Sequence, residues 1–380
     1  MNGGRLRIVH CFRAPVGGVF RHVSDLAEAQ ERNGHAVGVI CDATTGGAFE
    51  EERLARLSAF LALGLKRVPM RRQVAPSDIA ATFRLMREVR ALDPDVLHAH
   101  GAKGGAYART IGTLLRASGS RVARIYSPHG GSLHHDAASL GGRVYFAAER
   151  MLERMSDALI FVSQYEADVY AAKVGRPRRP FVIVRNGLRP EEFEPVVPVA
   201  DARDFLFIGE VRALKGPDVF IEALAALAAE GRPATAWMVG QGPERAEMEA
   251  LAAAKGLGDR LAFRDPMPAR QAFALARTVV IPSRAESMPY IVLEAVAAGR
   301  PIVTTRVGGI PEIFGPEAGR LIPPGDAAAL TAATREQLAG AQGALAVAEG
   351  LREQIRAGFS LEAMAAAIDG VYRSVTITRI

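Results

Sequence analysis

Cysteine is nearly absent: Cys11 and Cys41 are the only two in 380 residues. Two thiols make no disulfide framework, so a reduced, cytoplasmic setting is expected. Aromatic residues are scarce at 6%, and no nucleic-acid-binding motif occurs, which argues against DNA or RNA as a partner. No apolar run approaches the roughly 20 residues of a membrane span; the longest are broken by Arg, Gly or Glu. The apolar stretch within Met1-Asn-Gly-Gly-Arg-Leu-Arg-Ile-Val9 is too short for a secretion signal. Sequence-level repeats and long disordered tracts are missing too.

What is present suits two cores. Hydrophobic residues make up 49% of a chain long enough for two domains. The net charge of +6 is unevenly placed: residues 1–190 carry 28 Lys and Arg against 17 Asp and Glu, and the remainder 19 against 24. Lys66, Arg67, Arg71, Arg72, Arg84, Arg87 and Arg90 crowd one stretch of the first half. Such a stretch is either a solvated basic face or a surface for an anionic membrane.

Short apolar runs alternate with helical patterns. Arg7–Phe12, 36–41, 96–100, 122–127, 158–162 and 181–184 read as strands of one series, with an amphipathic helix from Val19 to Asn33. A second series follows at 205–208, 235–239, 261–263, 278–281 and 301–305, with a helix over 217–229 and an Ala-rich helical region over 327–358. The polar, proline-containing segment Leu188-Arg-Pro-Glu-Glu-Phe-Glu-Pro195 is the expected linker. The fold class is therefore α/β, with two Rossmann-like, doubly wound domains whose ligands bind beyond the strand C-termini. The cleft between the domains is the default site.

The most informative stretch runs from Glu286-Ser-Met-Pro-Tyr-Ile-Val-Leu-Glu294 through Gly299 and Pro301 to Gly308-Gly-Ile-Pro-Glu312. Glu286 falls in a loop after Val279-Val-Ile-Pro282, and Glu294 in the helix that follows. Pro289 suits that helix's first turn, where the N–H has no partner, and Gly299 with Pro301 ends it. Free N–H groups at a helix start suit a phosphate. Ionised carboxylates are acceptors suited to sugar hydroxyls. Together they fit a nucleotide-sugar pocket.

Other segments allow two readings. Gly17-Gly18 after the first strand serves a tight turn or the close approach of backbone to a ligand. His129 in Ser127-Pro-His-Gly-Gly131 is a hydrogen-bonded loop residue or a sugar-binding one. Lys215 and Arg212, in Gly209-Glu-Val-Arg-Ala-Leu-Lys-Gly216, are solvated cations or the charges that balance a leaving diphosphate. His98 and His100 share one strand face, but a metal site would need further ligands. Asp93-Pro-Asp95 reads as a turn, and Gly240-Gln-Gly242 lacks the third glycine of a dinucleotide fingerprint.

In this order and spacing, the segments resemble the family-4 retaining glycosyltransferases of GT-B architecture, two Rossmann-like domains facing across a cleft. The resemblance runs through Gly17-Gly-Val-Phe-Arg-His22, Val96-Leu-His-Ala-His100, Pro128-His-Gly130, Phe161-Val-Ser163, Val184-Arg-Asn-Gly187, the turn at 209–216, and 286–312. It implies an acceptor domain over 1–188, completed by a C-terminal helix within 360–380, and a nucleotide-sugar donor domain over 189–359. Glu294 would hold the ribose hydroxyls. Glu286 would face the donor sugar, with Ser287, Met288 and Pro289 near sugar and phosphates. Lys215 would grip the diphosphate, His129 would lie beside the transferred sugar, and Gly17 and Gly18 would close against the phosphates. One departure stands out: Glu210 occupies a position where the family usually has Arg, leaving Arg212 as the substitute.

The same resemblance implies transfer from a nucleotide-diphosphate sugar with retention, no cofactor and no metal. A front-face route is implied, in which Glu286 positions rather than attacks and the lobes close to exclude water. The acceptor is expected to be a glycan or lipid-linked glycan of cell-surface polysaccharide or lipopolysaccharide assembly, met through peripheral contact with an anionic membrane. Arg67, Arg71 and Arg72 are the charges expected to carry that contact. Two rival readings are a GT-B-fold nucleotide-sugar epimerase and a non-catalytic nucleotide-sugar-binding protein.

Overall fold

The computed structural model describes residues 4–71 and 77–377. Arg72, one of the basic residues singled out above, lies outside the described residues, as do 378–380. The chain forms two compact units, one of residues 1–187 with 361–380 and one of residues 188–360.

The first unit is built on seven parallel strands: β1 (Arg7–Phe12), β2 (Ala36–Asp42), β3 (Gly64–Val68), β4 (Val96–His100), β5 (Ala123–Ser127), β6 (Ala158–Phe161) and β7 (Phe181–Ile183). Between them run α1 (Gly17–Arg32), α2 (Ala48–Ser58), α3 (Ser77–Leu92), α4 (Gly101–Ala117), α5 (Leu140–Glu153) and α6 (Gln164–Lys173). The strand order is β3-β2-β1-β4-β5-β6-β7. Because helices cover both faces, β2 and β4 are buried along their whole length. Ile8 joins the core on one face, with Phe20, Val23 and Leu26 of α1. Its neighbour Val9 joins the other, with Ile111 of α4 and Phe146 of α5.

Strand β3 had no counterpart in the sequence reading, which saw a basic stretch there. Among the described residues it is a sheet edge pairing only with β2, and charged residues such as exposed Lys66 are what an edge tolerates. Cys11 and Cys41 are buried free thiols on β1 and β2. Burial pushes both up to about 12, which keeps them protonated and inert.

The second unit has five parallel strands, β8 (Arg203–Ile208), β9 (Ala236–Val239), β10 (Leu261–Arg264), β11 (Ala276–Ile281) and β12 (Ile302–Thr304), in the order β10-β9-β8-β11-β12. Its helices are α7 (Pro217–Ala229), α8 (Arg245–Ala254), α9 (Ala269–Ala274), α10 (Tyr290–Ala297), α11 (Ile310–Phe314), α12 (Ala327–Ala339) and α13 (Ala341–Arg356). The expected linker is held to this unit rather than free: Arg270 donates to the carbonyls of Glu192 and Glu194, and Arg300 to that of Val196. The last helix, α14 (Leu361–Ile377), belongs to the first unit. It sends Met364, Ile368 and Tyr372 into the core beside α1.

In each sheet the order reverses beside the first strand, between β1 and β4 and between β8 and β11. Loops leaving those strands diverge, and the crevice beyond them is where such sheets take ligands. In the first unit α4 lies against β1 at one close approach. A Cβ on Gly104 of α4 would sit 2.7 Å from Phe12 Cα and 2.8 Å from Cys11 O, both backbone atoms of β1. Replacing Gly104 with Ala is expected to cost roughly 1–3 kcal/mol through overpacking. That should lower the thermal midpoint by about 2–10 °C, whereas Gly141→Ala in α5, where nothing lies within 4 Å, should not lower it. Calorimetry showing equal midpoints for the two variants would contradict this packing.

Candidate active site

In the second unit the acids and cations meet at the C-terminal ends of β8 and β11. Lys215 Nζ lies 2.6 Å from Glu286 Oε1, which also accepts from Ser283 Oγ at 2.7 Å. Glu286 is buried, 8% exposed, while a quarter of the Lys215 side chain remains accessible. The two loops are stitched together around this pair. Arg284 N–H donates to Leu214 O at 2.8 Å, and the Arg284 guanidinium reaches Ala213 O and both carboxylate oxygens of Asp218. A Cβ on Gly216 would fall 2.2 Å from Pro282 O, and its φ of +70° suits glycine.

The loop after β12 closes the corner from the other side. A Cβ on Gly308 would lie 2.0 Å from Glu286 O, and Gly309 N–H donates to Ser287 O at 2.6 Å. Ser287 is half-buried, and Met288 and Pro289 are buried. Pro289 is the N-cap of α10, one residue before the first turn. Glu294 lies one turn into that helix and is half-buried. Arg212 pairs at 3.4 Å with Glu210, the residue that departs from the family pattern, so part of its charge is already balanced. Gly240 and Gly242 are packing glycines: a Cβ on either would strike the backbone of Gly209 or Val211.

In the first unit, Gly17 (φ +64°) and Gly18 are exposed at the start of α1, just beyond β1. His129 follows β5 with φ +51°, a strained conformation for a residue with a side chain. Glu166 holds that loop. Its carboxylate accepts from Gly130 N–H at 2.5 Å and Val162 N–H at 2.9 Å. Burial pushes Glu166 up to about 7, and those two N–H groups oppose the shift. Sequence reading missed Glu166, although Ser163 and Glu166 stand three apart before a helix, as in a capping box. It also missed Ser283, Asp218 and Arg284, which carry no motif of their own.

Five of the eight histidines, His129 among them, form one cluster. Its Nε2 is 3.0 Å from His100 Nδ1, and the His22 ring meets it edge-on, centroids 4.7 Å apart. His10 and His98 complete the group. The partners that the His98–His100 pair lacked in the sequence are thus supplied by the fold. Two triads, His10–His98–His100 and His22–His100–His129, have ring nitrogens close enough to share a cation. Asp93-Pro-Asp95 is a turn: Asp95 accepts Arg7 N–H at 2.8 Å, and Asp93 has φ +42°.

Comparison with known proteins agrees with this layout. Residues 16–192 match the family described as Glycosyltransferase Family 4, and residues 202–339 match Glycosyl transferases group 1. Among relatives, a D-inositol 3-phosphate glycosyltransferase of Arthrobacter sp. (strain FB24) is 32% identical over 47% of this chain and 45% of its own length. The chain spans about half the length of the curated relatives it matches at this level. Among solved structures, HepE of Anabaena, in complex with UDP and glucose, superposes with a TM-score of 0.80 at 18% identity, covering 97% of this chain and 100% of that one. WaaG, a glycosyltransferase involved in lipopolysaccharide biosynthesis, gives 0.72 at 18%, covering 96% and 99%. At these identities the structures show a shared fold.

The buried imidazoles make stability depend on pH. Burial holds His10 and His22 down to about 4, while hydrogen bonds to Gln30 and Asn186 oppose the shift. His98, His100 and His129 are also held well below the usual histidine range, by burial first and then by neighbouring rings. The unfolded chain takes protons near 6.5 and the native one does not. Stability is therefore complete above about pH 6.5 and lost as pH falls toward 4, at about 1.4 kcal/mol per pH unit for each imidazole. The thermal midpoint should be flat from pH 7 to 8 and fall steadily from 6.5 to 4.5. A calorimetric midpoint that stays level over the lower range would show that the rings are not buried neutral.

Proposed function

The chain belongs to the family-4 glycosyltransferases of GT-B architecture, and from that premise we propose that it moves a hexosyl group from a nucleotide-diphosphate sugar to an acceptor with retention of anomeric configuration. The observation that carries this reading is the Lys215–Glu286–Ser283 corner at the strand-order reversal of the second unit. Lys215 exchanges part of its contact with Glu286 for the donor's diphosphate and balances the charge that grows on the leaving nucleotide. Arg212, already shared with Glu210, helps to balance that charge. The N-terminus of α10 supplies N–H groups toward the phosphates, and Glu294 takes the ribose hydroxyls.

Glu286 is tied by an ammonium and a hydroxyl, which suits positioning of the sugar and not nucleophilic attack. The leaving phosphate then assists the acceptor's proton on the front face. Cations of the chain do the work of a metal in this scheme. His129, Gly17 and Gly18 belong to the acceptor unit, where His129 contacts the transferred sugar and the glycines approach the phosphates.

The acceptor we propose is a lipid-linked glycan reached by peripheral attachment to an anionic membrane, in line with the lipopolysaccharide role of WaaG. Among the described residues no helix is long and apolar enough to cross a membrane. Support for a surface contact comes from α5. Leu140, Val144 and Met151 are 79%, 70% and 57% exposed along one stripe, flanked by exposed Arg143, Arg150 and Arg154. The acids of that helix, Glu149 and Glu153, turn inward. Exposed Ile79 and Phe83 on α3, beside Arg84 and Arg87, repeat the pattern. Arg67 is a weaker candidate than the sequence suggested, since Glu51 holds it at 2.6 Å.

Two measurements test this function. In a thermal-shift panel of nucleoside diphosphates and their sugars, one base should raise the midpoint, by about 2.7 kcal/mol of stabilisation at 100 times Kd. Lys215→Ala should abolish that shift, and Glu286→Gln should lower kcat by about 10²–10³-fold with the fold intact. No shift from any nucleotide, or full turnover by Glu286→Gln, removes the donor site; a new sugar nucleotide formed from donor alone would identify an epimerase. For the membrane, the protein should float with phosphatidylglycerol vesicles and not with phosphatidylcholine ones. Arg143→Glu with Arg154→Glu should weaken flotation by about 10-fold or more, at about 1 kcal/mol per basic residue. Equal flotation of variant and native protein excludes α5 as the contact.

A further inference from the structure

Three histidines have no task in the reaction as described. His10, His98 and His100 are 1% exposed or less, yet all six of their ring nitrogens have partners at hydrogen-bond distance. A neutral imidazole carries one proton and one lone pair, so fixing one end of a string of them fixes every member. Burial keeps these rings neutral.

Gln30 fixes the end. Its Oε1 only accepts, so His10 Nε2, 2.8 Å away, holds the proton and His10 Nδ1 is bare. His100 Nε2–H then donates to His10 Nδ1 at 3.0 Å, which leaves His100 Nδ1 bare. That atom accepts Nε2–H of His129, also at 3.0 Å. On the other side, the Gln30 amide nitrogen donates to the Tyr372 hydroxyl at 3.4 Å. Tyr372 donates to His98 Nδ1 at 2.6 Å, and His98 Nε2–H to Ser127 Oγ at 2.9 Å. Six bonds run in one direction. Turning the Gln30 amide over reverses them all together, so the state of His129 is coupled to residues on α1 and α14.

We propose that Gln30 and Tyr372 are positioning residues which, through His10 and His100, hold His129 as the Nε2–H tautomer, so that its bare Nδ1 accepts a hydroxyl of the bound sugar. Among the described residues Nδ1 of His129 has no other partner. The sugar rests on the glycosyl-transfer reading; the tautomer does not. A cation shared by His10, His98 and His100 is the competing use of these rings, but it would take the lone pairs that order the chain. No member of the chain is a carboxylate that could balance its charge.

The test is nitrogen NMR of the full chain labelled at histidine, with His129 assigned by its loss in His129→Asn. The native protein should show a pyridine-type Nδ1 and a pyrrole-type Nε2 at His129. Gln30→Leu and Tyr372→Phe should average the two signals. Tyr372→Phe keeps its ring in the core, so one variant remains informative if the other fails to fold. Both should lose about 10-fold in kcat/KM for the donor sugar, the worth of one hydrogen bond, with unchanged affinity for the free nucleoside diphosphate. A His129 spectrum unaltered in both variants, a pyrrole-type Nδ1 in the native protein, or stoichiometric metal by elemental analysis each overturns the proposal. If the tautomer responds as stated but the native protein transfers no sugar, the glycosyl-transfer reading fails and the hydrogen-bonded chain stands.

Discussion

Parallel pairing with a reversed strand order is the constraint from which the rest follows. In both sheets the first strand is flanked by the second on one side and the fourth on the other. Loops on either side of that junction must part, and the helices they enter present N-terminal N–H groups at the same edge. Several residues with a proposed role in the transfer stand at or near such an edge. Lys215 and Glu286 follow β8 and β11, His100 ends β4, and Gly17 and His129 follow β1 and β5.

Keeping polar groups there requires close backbone contact, and glycine provides it. The main chains around Gly216, Gly240 and Gly308 approach one another so closely that no Cβ fits between them. These contacts bury Glu286 while Lys215 and Ser283 satisfy one carboxylate oxygen. A buried ion pair of this kind is weak evidence for stability. Under the proposed function its location has a different meaning, because the donor's diphosphate would take over the lysine. In the first unit the equivalent interior is uncharged: five imidazoles are held neutral, and the Arg109–Glu149 pair at 2.8 Å lies under α4 and α5 instead.

Much of this was legible in the sequence because period and punctuation were strong. The inner strands are mainly apolar, and Glu286 and Glu294 are fixed to a loop and a helix by Pro289, Gly299 and Pro301. Strand β3 was not legible, since an edge strand bearing Lys66 and Arg67 has neither alternation nor continuous apolarity. The His98–His100 pair was visible, but His10, His22 and Gln30 come to it from β1 and α1 through tertiary packing. No spacing rule records that. Ser163 and Glu166 have capping-box spacing, but that pattern does not tell that the Glu166 carboxylate takes the N–H groups of Val162 and Gly130.

Helix α14 gives the fold a temporal order. The core beside α1 lacks Met364, Ile368 and Tyr372 until residues 361–377 have been synthesised. A nascent chain leaving the ribosome can therefore finish the unit of residues 188–360 while the unit that began first is still open along one face. The usual amino-to-carboxyl sequence of domain maturation is inverted here. The early strands wait, with apolar surface uncovered, for α14 to be translated, which makes that interval the period in which chaperone capture or aggregation would compete with completion.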